Sequence, residues 1–263
     1  MGSTLYDVAY AGASSGEENP IFFDDDQLDD DLIDMINTYV KTTYPGNTEY
    51  IGFVSQLPNT GLLSQVSILT DDSNTYYDPY LEPLDMDDTL FTVWAGGNDF
   101  LYPINPDPLA NAENAADNIG SALTMLAEYG AKNILVPNLP DIGSTPEFYG
   151  NPSLSYAASQ WTSYFNNELQ MTLLEFSSDH GDINLYPFDV YSLFQEFTPG
   201  TVEWSAQFWD VDGFHPSASG HLVLAEGAYE ALQAGPVPEP ATILLLGSGL
   251  IGLIGFRRRF RKS

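Results

Sequence analysis

Cysteine does not occur in the 263 residues, which excludes a disulfide framework, a cysteine zinc site and a thiol nucleophile, and leaves the redox compartment open. Positive charge is scarce. Seven Lys and Arg stand against 37 Asp and Glu, and five of the seven (Arg257, Arg258, Arg259, Arg261 and Lys262) crowd the C-terminal end. Ahead of them only Lys41 and Lys132 are cationic. A surface of that sign repels phosphate backbones and excludes nucleic-acid binding. A charged and apolar leader is also missing, because Met1-Gly2-Ser3-Thr4 runs straight into a strand-like stretch. What is plentiful is apolar and aromatic. At 43% and 13% of the chain these residues rule out global disorder, and the length suits one sizeable α/β domain with a buried core.

Hydrophobic spacing gives the organisation. Residues 4–9 form a short strand-like run that ends in the small-residue turn Ala11-Gly12-Ala13-Ser14. Leu28, Leu32, Met35, Ile36, Tyr39 and Val40 recur at helical spacing beneath a very acidic face. The aspartates of that face, Asp24 to Asp34, have a charge that attracts Ca²⁺. They lack the Gly-punctuated spacing of a calcium loop, so a solvated helix face is the favoured reading and no metal is expected. Residues 90–94 read as a buried strand. Ala115, Ile119, Ala122, Leu123 and Leu126 line a helix closed by Gly130. Residues 133–137 form the next strand, Trp161, Phe165, Leu169, Leu173 and Phe176 a further helix, and residues 183–186 another strand. Leu222, Leu224, Ala225, Ala228, Tyr229 and Leu232 mark the last helix of the body. Strands alternating with amphipathic helices imply a parallel sheet covered on both faces, in a body spanning residues 1–234.

The C-terminal 29 residues (235–263) are different. A hinge, Gly235-Pro236-Val237-Pro238-Glu239-Pro240, precedes an apolar run at 241–256 and then the arginines. As a helix the run spans roughly 24 Å, slightly short of a bilayer core, and snorkelling arginines make up the difference. A transmembrane helix with the basic end cytoplasmic and the acidic body outside is therefore expected. Pro-Glu-Pro, a short apolar helix and an Arg-rich end together resemble a PEP-CTERM sorting tail of Gram-negative bacteria. The resemblance implies export, membrane anchoring and processing by an exosortase, then residence at the cell surface or outside it. It also implies a secretory leader, and the lack of one at Met1 suggests an incomplete N-terminus.

Three further blocks stand in order: Asp7-Val8-Ala9-Tyr10-Ala11-Gly12-Ala13-Ser14, Trp94-Ala95-Gly96-Gly97-Asn98-Asp99 and Asp210-Val211-Asp212-Gly213-Phe214-His215-Pro216. With the intervening stretches at 61–66 and 133–143, they resemble the GDSL/SGNH ester hydrolases from about residue 5 to residue 232. The resemblance implies a three-layer α/β/α fold and ester hydrolysis through an acyl-enzyme, without metal or cofactor. It assigns His215 as general base, with Asp212, three residues earlier, fixing its tautomer. Gly12 through its N–H and Asn98 through its side-chain amide become oxyanion donors. The other histidines are structural on this reading, His221 at a helix start and His180 in a loop.

One departure is large. The family's serine sits in a Gly-Asp-Ser block on the first strand, and no Gly-Asp-Ser occurs here. Ser14 and Ser15 follow the oxyanion glycine and are not taken as the nucleophile. A truncated N-terminus that removes the leader, first strand and serine explains this, as does a split gene or a noncatalytic remnant; truncation predicts that these 263 residues alone are inactive. The alternative function is a surface or matrix protein that keeps the fold for binding. The substrate class stays open between lipid acyl esters and acetylated sugars.

Overall fold

The structure, a computed structural model, describes residues 15, 61–70, 85–101, 103, 105–201, 204, 208–210 and 213–237. The strand expected at 4–9, the acidic helix, Gly12, Asp212 and the apolar run at 241–256 lie outside the described residues. Among the described residues no helix is long and apolar enough to cross a membrane.

The described elements are α1 (Leu62–Thr70), β1 (Leu90–Thr92), α2 (Gly97–Leu101), α3 (Pro108–Tyr129), β2 (Asn133–Pro137), α4 (Pro146–Tyr149), α5 (Pro152–Asp179), β3 (Asn184–Phe188), α6 (Val190–Gln195) and α7 (Ala218–Ala234). A 3₁₀ turn, Ile142–Ser144, precedes α4. The strands pair in parallel in the order β1-β2-β3, with Phe91 beside Ile134 and Ile134 beside Leu185. Side chains of a strand alternate between faces, so β2 feeds two cores. Ile134 and Val136 join Phe91, Val93 and the buried faces of α3 and α5. Leu135 joins the aromatic cluster of Phe188, Phe194, Trp204 and Trp209, which α7 closes through Leu224.

Local signals explain the helices. Asp107 caps α3 by accepting from the Leu109 N–H, and Pro108 fills the first position, where no N–H is needed. Gly130 ends it at φ 106°. Half of the buried stripe of α3 is alanine, and a Cβ on Gly120 would come within 2.7 Å of the Thr172 methyl. Small residues thus let α3 and α5 approach closely. Asn151 and Pro152 start α5 in the same manner. Phe165 of α5 is fully buried, so its truncation to alanine would cost about 3–5 kcal/mol.

Two expectations need correction. Residues 90–94 are not a uniformly buried strand. Phe91 and Val93 are buried, whereas Leu90 and Trp94 remain 41% and 39% exposed. Only one face of β1 meets α3 and α5; the Trp94 indole lies over the strand ends and donates to the Asn138 carbonyl at 3.2 Å. The third strand runs from Asn184 to Phe188 rather than 183–186. Pro187, which has no N–H to give, is accommodated because β3 pairs with β2 on one side and, among the described residues, meets only the Val237 N–H, at the Leu185 carbonyl (2.9 Å), on the other.

Candidate active site

In open parallel sheets ligands gather beyond the carboxyl ends of the strands, where β1 delivers Asn98. The Val93 N–H makes the last ladder bond, to the Leu135 carbonyl at 2.9 Å. The chain then turns through Gly96 at φ 111°. A Cβ there would sit 2.5 Å from the Phe165 ring, so both backbone and space require glycine. Asn98 follows, half-buried in the first turn of α2.

Its neighbour Asp99 forms a node that sequence reasoning missed. Asp99 is buried and accepts twice from Ser15, from its N–H at 2.9 Å and its hydroxyl at 2.7 Å. The Asn118 amide donates to the same hydroxyl at 3.2 Å. Burial pushes the Asp99 carboxyl above its ordinary value, and the Ser15 bonds oppose that rise. Ser15 is fully buried, gives its proton to a carboxylate and has a lone pair engaged by Asn118. Ser15 thus ties its segment to Asp99 of α2. The Asp of Asn98-Asp99 was the available signal, but its partner lies 84 residues away in sequence.

His215 is exposed on a turn between Trp209 and Pro216, which form an isolated antiparallel bridge. The Asp210 N–H donates to the His215 carbonyl at 2.8 Å, and the Gly213 N–H to the Asp210 carbonyl at 2.9 Å. Gly213 has φ 68°, and its carbonyl accepts from the Glu147 N–H at 3.1 Å, which docks the turn on α4. Ser217 then caps α7 through the Gly220 N–H. His221 falls in the first turn of α7, three residues beyond its start at Ala218. His180 caps α5 with its ring stacked 4.5 Å from Phe176.

An aromatic file joins the two candidate groups. Phe100, two residues after Asn98, meets Phe148 at 5.7 Å. Phe148 meets Phe214 at 6.2 Å, and Phe214 adjoins His215 at 5.5 Å. Ring contacts of this kind contribute about 0.5–1.5 kcal/mol each beyond their burial. The elements carrying Asn98 and His215 are thereby linked through packed side chains.

The stretch at 133–143 is tied down by side-chain hydrogen bonds. Asp141 holds the Gly143 N–H and the hydroxyls of Ser144 and Ser159 at 3.1, 2.6 and 2.6 Å. Asn138 donates to Asp189 at 2.9 Å. Burial works to raise the Asp189 carboxyl, but the bonds from Ser192 and Asn138 outweigh it and hold the group low. Among the described residues no cluster of three or more His, Asp or Glu is arranged to hold a metal ion.

The described residues place an amide-bearing turn beyond one strand of a parallel sheet and link it through packed rings to a histidine turn. Residues 6–228 match the GDSL-like lipase/acylhydrolase family, and the chain belongs to it. Residues 236–259 match the PEP-CTERM protein-sorting motif, a mark of export and cell-surface sorting. The chain is also similar to a phosphatidylcholine-sterol acyltransferase of Aeromonas hydrophila, 31% identical over 103 residues, which cover 39% of this chain and 30% of that protein. An uncharacterized protein from the trpE-trpG intergenic region of Pseudomonas putida is 33% identical over 107 residues, 41% of this chain and 17% of its own length. The chain thus spans less than a third of either relative.

Proposed function

We propose that this protein hydrolyses carboxylic esters through an acyl-serine intermediate. The observation that carries the reading is the aromatic file linking the Asn98 helix to the His215 turn. A serine hydroxyl adds to the ester carbonyl while His215 takes its proton, and Asp212 orients the imidazole and stabilises its cation. The carbonyl oxygen, now negative, receives the Asn98 amide and the Gly12 N–H. Collapse expels the alcohol, which leaves with the proton from His215. Water repeats the sequence and releases the acid. The similarity to a named acyltransferase adds that the acyl group passes to another hydroxyl when one competes with water.

Ser15 is hydrogen-bonded to Asp99, and we take the nucleophile to be the serine of a Gly-Asp-Ser block, a string that does not occur in the 263 residues. The experiment compares the 263-residue chain with a version preceded by the sequence encoded immediately upstream. Hydrolysis of p-nitrophenyl esters by the longer form alone is expected. Hydrolysis by neither form favours the second reading, a noncatalytic surface protein. Residues 241–256 are proposed to anchor the precursor in a membrane, with an exosortase cutting near Pro238-Glu239-Pro240. Truncation after Gly235 should move the protein from the membrane to the soluble fraction.

A further inference from the structure

The chain leaves α7 along the side of β3 that faces away from β2. α7 is capped by Gly235, and the Val237 N–H then donates to the Leu185 carbonyl at 2.9 Å. The sorting motif starts at residue 236, so it begins in contact with the body of the protein. Backbone groups alternate in direction along a strand. Asn184 and Phe188 turn toward β2, where the Asn184 N–H reaches the Lys132 carbonyl and the Phe188 carbonyl accepts from the Asn138 N–H. Leu185 turns outward, and by the same alternation so does the Pro187 carbonyl. The sequence beyond α7 matches that edge. In Pro236-Val237-Pro238-Glu239-Pro240 only Val237 and Glu239 carry an N–H. In an extended chain both point to one side. With Val237 on Leu185, a parallel register brings Glu239 to Pro187. The prolines fall on the opposite side and leave it without donors, a natural protection for an exposed edge.

There is room for such a strand. A groove of about 500 Å³ lies between α5 and β3, and Val237 forms part of its wall together with Leu173, Leu174, Pro187 and Tyr191. Along α5 it extends from Leu174 to Asn167. Leu174 lies toward the end of α5 that leads into β3. Asn167 lies toward the carboxyl ends of the strands, beside Asn166, whose amide donates to the Leu139 carbonyl beyond β2 at 2.8 Å. Between Leu174 and Asn167 the helix rises about 10 Å, which an extended chain covers in about three residues. The three that follow Val237 are Pro238, Glu239 and Pro240. Leu174 is 51% exposed, and an occupant of this kind covers it.

We propose that the β3 edge and this groove are the docking site for the chain's own Pro238-Glu239-Pro240, which adds a short parallel strand to the sheet. The sorting motif is thereby held on the body instead of hanging from a free hinge, and an enzyme that cuts near it must first lift it from β3. The assignment needs neither the hydrolase reading nor the membrane anchor. Because the chain has no cysteine, introduced pairs report position in the full 263-residue chain in detergent micelles. Gln170→Cys, at an exposed residue of the groove wall, should be joined to Pro240→Cys within one chain by bismaleimidoethane. Ser178→Cys, exposed and farther along α5 toward the start of β3, should join Pro240→Cys about tenfold more slowly. Adding Val237→Pro to the first pair removes the N–H given to Leu185 and should slow joining by about tenfold, the value of one or two hydrogen bonds. Pro236→Ala keeps that N–H and should leave the rate unchanged. Amide exchange reads the same strand without any substitution: the Glu239 N–H should exchange at least about tenfold more slowly than in a peptide of residues 235–245. Equal joining of the two pairs, no effect of Val237→Pro, or a Glu239 amide that exchanges as in the peptide overturns the docking. Cross-linked dimers in place of internal links would give the edge to a neighbouring chain's tail and overturn it as well.

Discussion

The two halves of the candidate site are held by opposite means. Asn98 stands beside a carboxylate that is buried, doubly bonded to Ser15 and fixed over a glycine that has no room for a methyl group. His215 is exposed, and its turn is set by backbone bonds and one left-handed glycine against the N-terminus of a four-residue helix. An oxyanion donor gains from rigidity because its dipole must already point at the developing charge. A general base has to reach the serine hydroxyl and then the attacking water, and an open turn leaves it that reach. The contrast predicts that damage to the Asn98 side appears first in stability, and damage to the His215 side in turnover.

The largest effect expected is on turnover. In protein carrying the Gly-Asp-Ser block, His215→Ala should lower kcat by at least about a thousandfold, since base and nucleophile act as a unit. The ring is exposed and gives up its edge contact with Phe214, so the melting temperature should fall by only a few degrees, about 2–4 °C. A variant that loses stability in proportion to activity would erase the distinction between the halves.

The two glycines sharpen it. Gly96→Ala meets both φ 111° and the Phe165 ring and should cost about 2–4 kcal/mol by thermal or urea unfolding. Gly213→Ala carries the positive φ but faces the Glu147 N–H and Pro146 at 3.0 Å or more, so about 1–2 kcal/mol is expected. Its activity loss should exceed that of other substitutions with equal stability cost, because it reorients the His215 turn.

Much of this frame could be read from sequence because it rests on local spacing. Trp161, Phe165, Leu169, Leu173 and Phe176 share one helical face, and that face is the buried one. The Asp-x-x-His and Gly-x-Asn-Asp blocks were visible as short strings. Boundaries were harder: α3 begins at Pro108, seven residues before Ala115, where a cap and a proline rather than an apolar stripe set the start. The exposure of Leu90 and Trp94 depends on what covers each face of β1, which no strand-length window contains. The Ser15–Asp99–Asn118 node was out of reach for a similar reason, as it joins side chains 84 and 103 positions apart.

Asp99 also gives the stable half a pH signature. Its folded carboxyl lies above the ordinary value of 3.8. The folded state therefore keeps the proton longer than the unfolded chain, and stability from this group is fully present below pH 3.8 and lost as pH rises through the folded value. Asp99→Asn removes that dependence. The stability of the native protein minus that of the variant should fall from acid toward neutral pH. A difference that grows instead would mean the carboxyl is held low, with the Ser15 bonds outweighing its burial.

The smallest expected effect separates a fastening from a nucleophile. Ser15→Ala removes the 2.7 Å bond to Asp99 and the acceptor for Asn118, but keeps the backbone N–H that reaches Asp99 at 2.9 Å. The buried carboxylate thus retains one donor, and the loss should be about 1–2 kcal/mol by unfolding. Turnover in protein carrying the Gly-Asp-Ser block should fall by less than about tenfold, through slight loosening of α2 beneath Asn98. A nucleophile would behave otherwise, because its removal takes away the atom that forms the acyl bond and costs several powers of ten. Trapping with a fluorophosphonate separates the two roles by mass: the label should fall on the serine of the added block and not on Ser15. Label on Ser15, with activity lost in Ser15→Ala, would mean that the Asp99 bonds open during the reaction and that the buried node is itself the reacting group.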